Sequence, residues 1–148
     1  MQHDNNINHS NWIMYFGMFL ASYWMMSILI TNNNNITNNL NKLYQAIFMV
    51  LIMFVLANYN NYIYIMIGMI ITLIIVYIIR YQVFINDDQF LLSMIEHHQM
   101  AVDMSDRILE KSNNQQVKLL ATNIINSQLG EIEYMKKLLN NNTLKTDI

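Results

Sequence analysis

Two adjacent histidines and three nearby methionines form a group of side chains that could bind a metal ion. His97 and His98 follow Met94 and precede Met100 and Met104. On a helix, with about 100° between successive residues, Met94, both histidines and Met104 project to one face, and Met100 lies at its edge. Imidazole and thioether groups together suit a soft ion, especially Cu(I). The spacing therefore makes these five residues candidate copper ligands.

A second amphipathic segment contributes further candidate groups. At helical spacing, one of its faces carries Leu120, Ile124, Gln128, Glu131, Met135 and Leu138. If two helices pack by these faces, Met135 adds a thioether, and Glu131 can orient a ligating imidazole through a hydrogen bond. The alternative is structural, because methionine commonly fills helical cores and histidine has many roles besides ligation. Spacing alone leaves both interpretations open.

The histidines lie in a segment that has the signals of a helical hairpin. Asp87 and Asp88 precede an apolar periodic run, which is typical of a helix N-terminus because acidic side chains interact favourably with the helix dipole there. This predicts a first helix from residue 87 to residue 111 or 112 and a turn at the two asparagines 113–114. A second helix follows over 115–139 and ends in three further asparagines.

The N-terminal half of the chain is far less charged. Hydrophobic residues make up 54% of the 148 residues and charged residues only 12%, and Lys42 is the only charged side chain between Asn11 and Ile79. Spans this long and charge-poor are rare in water, so the buried core of a soluble helical protein is the weaker alternative. We predict an integral, multi-pass membrane protein held in the lipid bilayer by about three helices. The predicted spans cover residues 12–30, 43–57 and 62–79, within a membrane domain of residues 1–81 that precedes a hairpin domain of residues 82–148.

Composition and charge exclude several function classes. The formal net charge is −2, whereas a protein that binds nucleic acid needs a basic face, so nucleic acid is not an expected partner. The chain has no cysteine, which excludes disulfides, thiolate metal sites and cysteine nucleophiles. It contains no recognisable catalytic motif, so we do not expect an enzyme. The start Met1-Gln2-His3 could wrap Cu(II) with nitrogen ligands, although a chance histidine is the simpler interpretation.

The hairpin segment resembles domain-of-unknown-function family 305. The first half of the family signature reads here as Met94, His97, His98, Ala101 and Met104, and the second half reads as Ala121, Ile124, Ile125, Gln128, Glu131, Ile132 and Met135. The resemblance covers about residues 87–139, and the apolar front end resembles membrane-anchored members. It implies a ferritin-like helical fold, copper binding and copper tolerance in some members, and no known enzyme activity. One position departs from the family pattern, because Glu96 stands where members usually have proline.

Together these observations predict an all-α, membrane-anchored protein that binds or buffers copper without catalysing a reaction. The bound ion is expected to be Cu(I), and Ag(I) should bind to the same site. The expected ligands are His97, His98, Met94 and Met104, with Met100 and Met135 as possible additions. Glu131 is expected to accept a hydrogen bond from a ligating histidine without binding the ion. A ferritin-type di-metal oxidase fits less well, since that chemistry uses several carboxylates. The main alternative is a non-catalytic structural or interaction protein.

Two hairpins from a homo-oligomer would form a four-helix bundle, because two amphipathic helices alone bury little surface. The side of the membrane that the hairpin occupies stays open. Lys42 and Arg80 favour the cytoplasm by the positive-inside rule. Metal-binding relatives in the resembling family generally work outside the cytoplasm, which favours the opposite side.

Overall fold

A computed structural model describes the backbone of residues 2–146 and the side chains of residues 11–25 and 27–141. All regular structure in this part of the chain is helical, as the sequence predicts. The α-helices are α1 (Gln2–Met25), α2 (Leu40–Ala57), α3 (Tyr62–Arg80), α4 (Asp87–Lys111) and α5 (Gln115–Thr146), with short 3-10 turns at Met26–Leu29 and Asn33–Asn35. Two compact units result. The first combines Met1–Met25 with Asn41–Phe84, and the second combines Met26–Leu40 with Ile85–Ile148.

In the first unit, α2 and α3 are long and apolar enough to cross a bilayer, and no other helix qualifies among the described residues. Only 11% of α2 and 6% of α3 is buried inside the structure. A core helix of a soluble protein would be mostly buried, so these two helices lack the packing of such a core. A tight turn over residues 58–61 joins them, and the side chain of Asn61 caps the start of α3 by accepting a hydrogen bond from the Ile63 backbone N–H at 3.1 Å.

The predicted first span, residues 12–30, is only partly helical. Helix α1 ends at Met25, and the chain continues as the 3-10 turn Met26–Leu29. The hydroxyl of Ser27 is buried and donates to the carboxylate of Glu96 at 2.6 Å. A regular helix through Ser27 is therefore replaced by a turn that satisfies a buried carboxylate. The count of three spans stays a prediction.

Helix α2 is antiparallel to both of its neighbours in this unit. The ammonium group of Lys42, near the start of α2, lies over the rings of Tyr23 and Trp24 near the end of α1, at 5.0 and 5.3 Å from their centroids. Such contacts stabilise a buried cation by its attraction to the aromatic face. Between α2 and α3 the backbones approach closely at Gly68, where a Cβ atom would lie 2.6 Å from a methyl carbon of Val55.

In the second unit, α4 and α5 form the predicted hairpin. The side chain of Asn86 accepts the Gln89 backbone N–H at 2.9 Å, which caps the start of α4, and two aspartates occupy its first turn. The hairpin core consists of Leu91, Ile95, Val102, Ile132 and Met135. The predicted end of the second helix near residue 139 is wrong, because α5 continues to Thr146. Asparagine has only a modestly unfavourable helix propensity, so the three asparagines do not stop the helix.

Candidate functional site

His98 joins the two helices of the hairpin. It is buried on α4, and its Nδ1 lies 2.8 Å from the backbone oxygen of Met94. Its Nε2 lies 2.8 Å from Oε2 of Glu131 on α5. Both neighbours are oxygen atoms that can accept a hydrogen bond, so both ring nitrogens of His98 are engaged. A metal ion could bind His98 only after one of these two bonds breaks.

Glu131 is held in its charged form by its neighbours. It accepts hydrogen bonds from His98 and from the hydroxyl of Ser127, the latter at 2.9 Å. Because both bonds favour the carboxylate, the pKa of Glu131 lies below its ordinary value, with the His98 bond as the larger cause. The predicted place of Glu131 beside a histidine is thus found, but the histidine's other nitrogen is also occupied.

The predicted ligands do not share one inward face. His97 is exposed and makes no hydrogen bond among the described residues, although its ring lies 6.1 Å from that of His98. Met104 is 52% exposed. Met100 is half-buried, Met94 packs partly against the hairpin core, and Met135 lies within that core.

The orientation of α4 has a simple cause. Leu91, Ile95 and Val102 recur at helical spacing and face α5, and large aliphatic side chains gain more from burial than an imidazole does. This turns the helix by roughly a quarter turn from the predicted orientation. His98 then lies at the edge of the interface, and His97 and Met104 lie outside it.

The uncovered side of α4 therefore carries soft donor atoms. We call this the open face and define it by Phe90, Met94, His97, Ala101, Met104 and Ile108, with Met100 at its edge. Within the described residues, no group of three or more His, Asp or Glu side chains could hold a metal ion. The open face is thus unlike a carboxylate-rich metal site, and its chemistry is that of one imidazole with thioethers.

A third side of α4 binds the connecting segment Met26–Leu40, whose first residues belong to the predicted span 12–30. Three buried side chains of α4 accept its hydrogen bonds: Glu96, Gln99 and Asp103. The donors are Ser27, Thr31, Asn35, Thr37 and Asn39. Arg107 adds a bond to the backbone oxygen of Leu29 at 3.0 Å.

A signal for this contact exists in the sequence. Ser27, Thr31, Asn35 and Asn39 recur every four residues, and Glu96, Gln99 and Asp103 share a helical face. Glu96, which replaces the proline of the resembling family, accepts bonds from Ser27 at 2.6 Å and from the Thr37 hydroxyl at 3.1 Å. The departure from the family pattern therefore has a structural role. The predicted Cu(II) site at Met1-Gln2-His3 lies outside the residues whose side chains the structure describes.

Comparison with known proteins identifies the hairpin. Residues 87–147 match the family described as Domain of unknown function (DUF305), which confirms the resemblance found in the sequence. "Uncharacterized protein L153" of Acanthamoeba polyphaga mimivirus is 35% identical over 144 residues, which cover 92% of this chain and 95% of the relative. No solved structure matches the chain. The chain therefore belongs to the same family as this viral protein, and its residues 87–147 make it a member of the DUF305 family.

Proposed function

We propose that this chain is a membrane-anchored protein that binds a soft monovalent metal ion, Cu(I) or Ag(I), and has no catalytic role. The observation that carries the proposal is the open face, where the His97 imidazole and the Met104 thioether are exposed and serve no packing purpose in the hairpin. Exposed imidazole and thioether groups on one helix face are the donors that a soft ion selects.

The spacing of these donors suits a site on one helix. His97 and Met100 are three residues apart, and Met100 and Met104 are four apart. Residues at these separations are neighbours on a helix surface, with about 5–6 Å between their Cβ atoms. Methionine has three rotatable side-chain bonds, so its sulfur can turn toward a shared ion. Met94, three residues before His97, is a fourth candidate at the border of the core.

His98 and Glu131 support the site without binding the ion in this proposal. Their hydrogen bond adds to the aliphatic packing that holds α4 against α5 and leaves the other face of α4 open. Met135 serves the core. The proposed ligand set is therefore narrower than the set predicted from the sequence, and it centres on His97 with Met100 and Met104.

Anchoring in a bilayer is the second part of the proposal. It is supported by α2 and α3, whose length, apolar composition and low burial suit lipid contact. Helix α1 is proposed as the third membrane helix, since its exposed Trp12, Ile13 and Phe16 would otherwise face water. A ferritin-like four-helix bundle of two hairpins is the proposed assembly.

The structural and interaction role is a second candidate function. It is favoured by His98, whose two nitrogens are both engaged in bonds that hold the hairpin together. In that role the hairpin would join two membrane proteins, and the methionines of the open face would be contact residues.

A metal titration of the full-length protein in detergent micelles separates the two candidates. Cu(I) is offered in competition with a chromophoric chelator, and Met104→Leu is compared with the parent. Met69→Leu on α3 is the matched control, because Met69 is 50% exposed and Met104 is 52% exposed. We expect Met104→Leu to weaken binding at least several-fold and Met69→Leu to leave it unchanged. Equal affinity of parent and Met104→Leu would overturn the metal site and favour the structural role.

A further inference from the structure

Helix α4 has three sides, and the structure covers two of them. Helix α5 covers the side with Leu91, Ile95 and Val102, and the connecting segment Met26–Leu40 covers the side with Glu96 and Asp103. The open face is left, and its apolar side chains are exposed by 50% at Phe90, 52% at Met104 and 39% at Ile108. Apolar side chains that recur along one helix face usually meet a partner.

The uncovered surface continues onto α5. The His98–Glu131 bond sets the antiparallel register of the hairpin, so Ile108 lies near the level of Leu120 and Met104 near that of Ile124. On the edge of α5 that borders the open face, Leu120 is 59% exposed and Ile124 is half-buried. The apolar surface thus continues from α4 onto α5 at Leu120 and Ile124, and it gives way to the polar Ser127 and Glu131 further along α5.

The side of the hairpin that carries this surface is large enough for a stable dimer. Helix α4 has 25 residues. At 1.5 Å rise per residue and about 10 Å per helix diameter, a face of two such helices measures roughly 37 by 20 Å, or about 700 Å². Contact between two copies would bury about 1,500 Å² in total, within the range of roughly 1,200–2,000 Å² for specific interfaces.

The charge pattern favours a second copy over a charged partner. None of the six residues that define the open face is an aspartate, glutamate, lysine or arginine, and on the bordering edge of α5 the carboxylate of Glu131 is bonded to His98. In a two-fold contact each residue meets the same surface on the other copy, so like charges on that surface would repel. Ala101 lies near the middle of the open face, and its small side chain lets two helices approach closely.

We propose that a second copy of this chain packs on the open face, α4 against α4, about a two-fold axis near Ala101. The contact encloses the His97 and Met104 side chains of both copies. In this respect the proposal rests on the proposed function, because the second copy would complete the metal site. The dimer itself is held by apolar side chains and needs no metal.

Two measurements on the full-length protein in lipid nanodiscs or mild detergent, with a chelator present, test this proposal. The chain has no native cysteine, so Ala101→Cys gives a single thiol for a short bismaleimide cross-linker. We expect a cross-linked dimer with Ala101→Cys and none with Leu119→Cys, whose side chain is 65% exposed on another face of α5. In the second measurement, Leu120→Lys should raise the monomer fraction at least tenfold by mass photometry, and Leu119→Lys should leave it unchanged.

The outcomes are distinct. A monomeric parent, or equal cross-linking at residues 101 and 119, overturns the proposed dimer. If Leu120→Lys loses its helical circular dichroism, the cross-linking of Ala101→Cys decides whether the dimer forms, because Ala101→Cys introduces no charge. A dimer that forms only when Ag(I) is added contradicts an interface held by apolar side chains, while the proposed metal site would stand.

Discussion

Asp103 is one of the two buried carboxylates of α4 that bind the connecting segment, and the attachment around Thr31 should depend on it. Asp103 accepts two hydrogen bonds from Thr31, one from its backbone N–H at 3.0 Å and one from its hydroxyl at 2.7 Å. In Asp103→Asn one of the two acceptor oxygens becomes an NH₂ group, which faces a donor instead of accepting from it. Asp106→Asn is the matched control, because Asp106 is exposed on the same helix.

The expected magnitude follows from these two bonds. A hydrogen bond to a charged group contributes about 1.5–3 kcal/mol, and a neutral bond about 0.5–1.5 kcal/mol. The substitution removes one charged bond and weakens the other, so the segment should lose about 2–3 kcal/mol of protection against local opening. Since each 1.4 kcal/mol corresponds to a factor of ten, opening should become about 30–150 times more frequent.

Amide hydrogen exchange followed by mass spectrometry measures this opening directly. Peptides that cover residues 26–40 should exchange about 30–150 times faster in Asp103→Asn than in the parent protein. In Asp106→Asn their exchange rate should equal that of the parent. Peptides from the core of α5 should keep their protection in both variants. The reasoning would be refuted if the connecting segment in Asp103→Asn exchanged its amide hydrogens at the rate of the parent protein. It would also be refuted if exchange became faster by the same factor across the whole hairpin.

Two further predictions concern the membrane helices and the hairpin. Gly68→Ala should destabilise the first unit by about 1–3 kcal/mol in detergent unfolding, because its Cβ would clash with the stiff Val55 side chain, whereas Gly17→Ala should not, since nothing lies within 4 Å of that Cβ. The lowered pKa of Glu131 should stabilise the hairpin fully above pH 4.5, and this stabilisation should be lost as pH falls through the lowered native value. Acid unfolding followed by circular dichroism should show that Glu131→Gln removes most of this pH dependence and Glu133→Gln little of it, because Glu133 pairs with a solvated lysine.

The order and type of the elements could be predicted from the sequence because the local signals are strong. Long charge-poor runs predict α2 and α3, and the aspartates before a periodic run predict the start of α4 at Asp87. The end of α1 could not be predicted, because Ser27 leaves the helix to satisfy Glu96, which is 69 residues away along the chain. Local propensity carries no information about such a distant partner.

The sequence predicts which residues belong to the candidate site better than it predicts where their side chains lie. The sequence predicts that Glu131 lies beside one of the two histidines, and in the structure that histidine is His98. It does not decide which stripe of α4 is buried, because a stripe with Leu91 and Ile95 and a stripe with His97 both repeat at helical spacing. Packing against α5 decides between them, and the outcome places His97 on the open face.

The central claim, a soft-metal site on the open face of α4, is tested most directly by X-ray absorption at the copper edge. Full-length protein in micelles is loaded with one equivalent of Cu(I), and His97→Ala is compared with the parent. We expect the parent to show both sulfur and imidazole nitrogen bound to copper, with the imidazole signal lost in His97→Ala and sulfur retained. A parent spectrum without sulfur, or an imidazole signal that survives in His97→Ala, would contradict the proposed site.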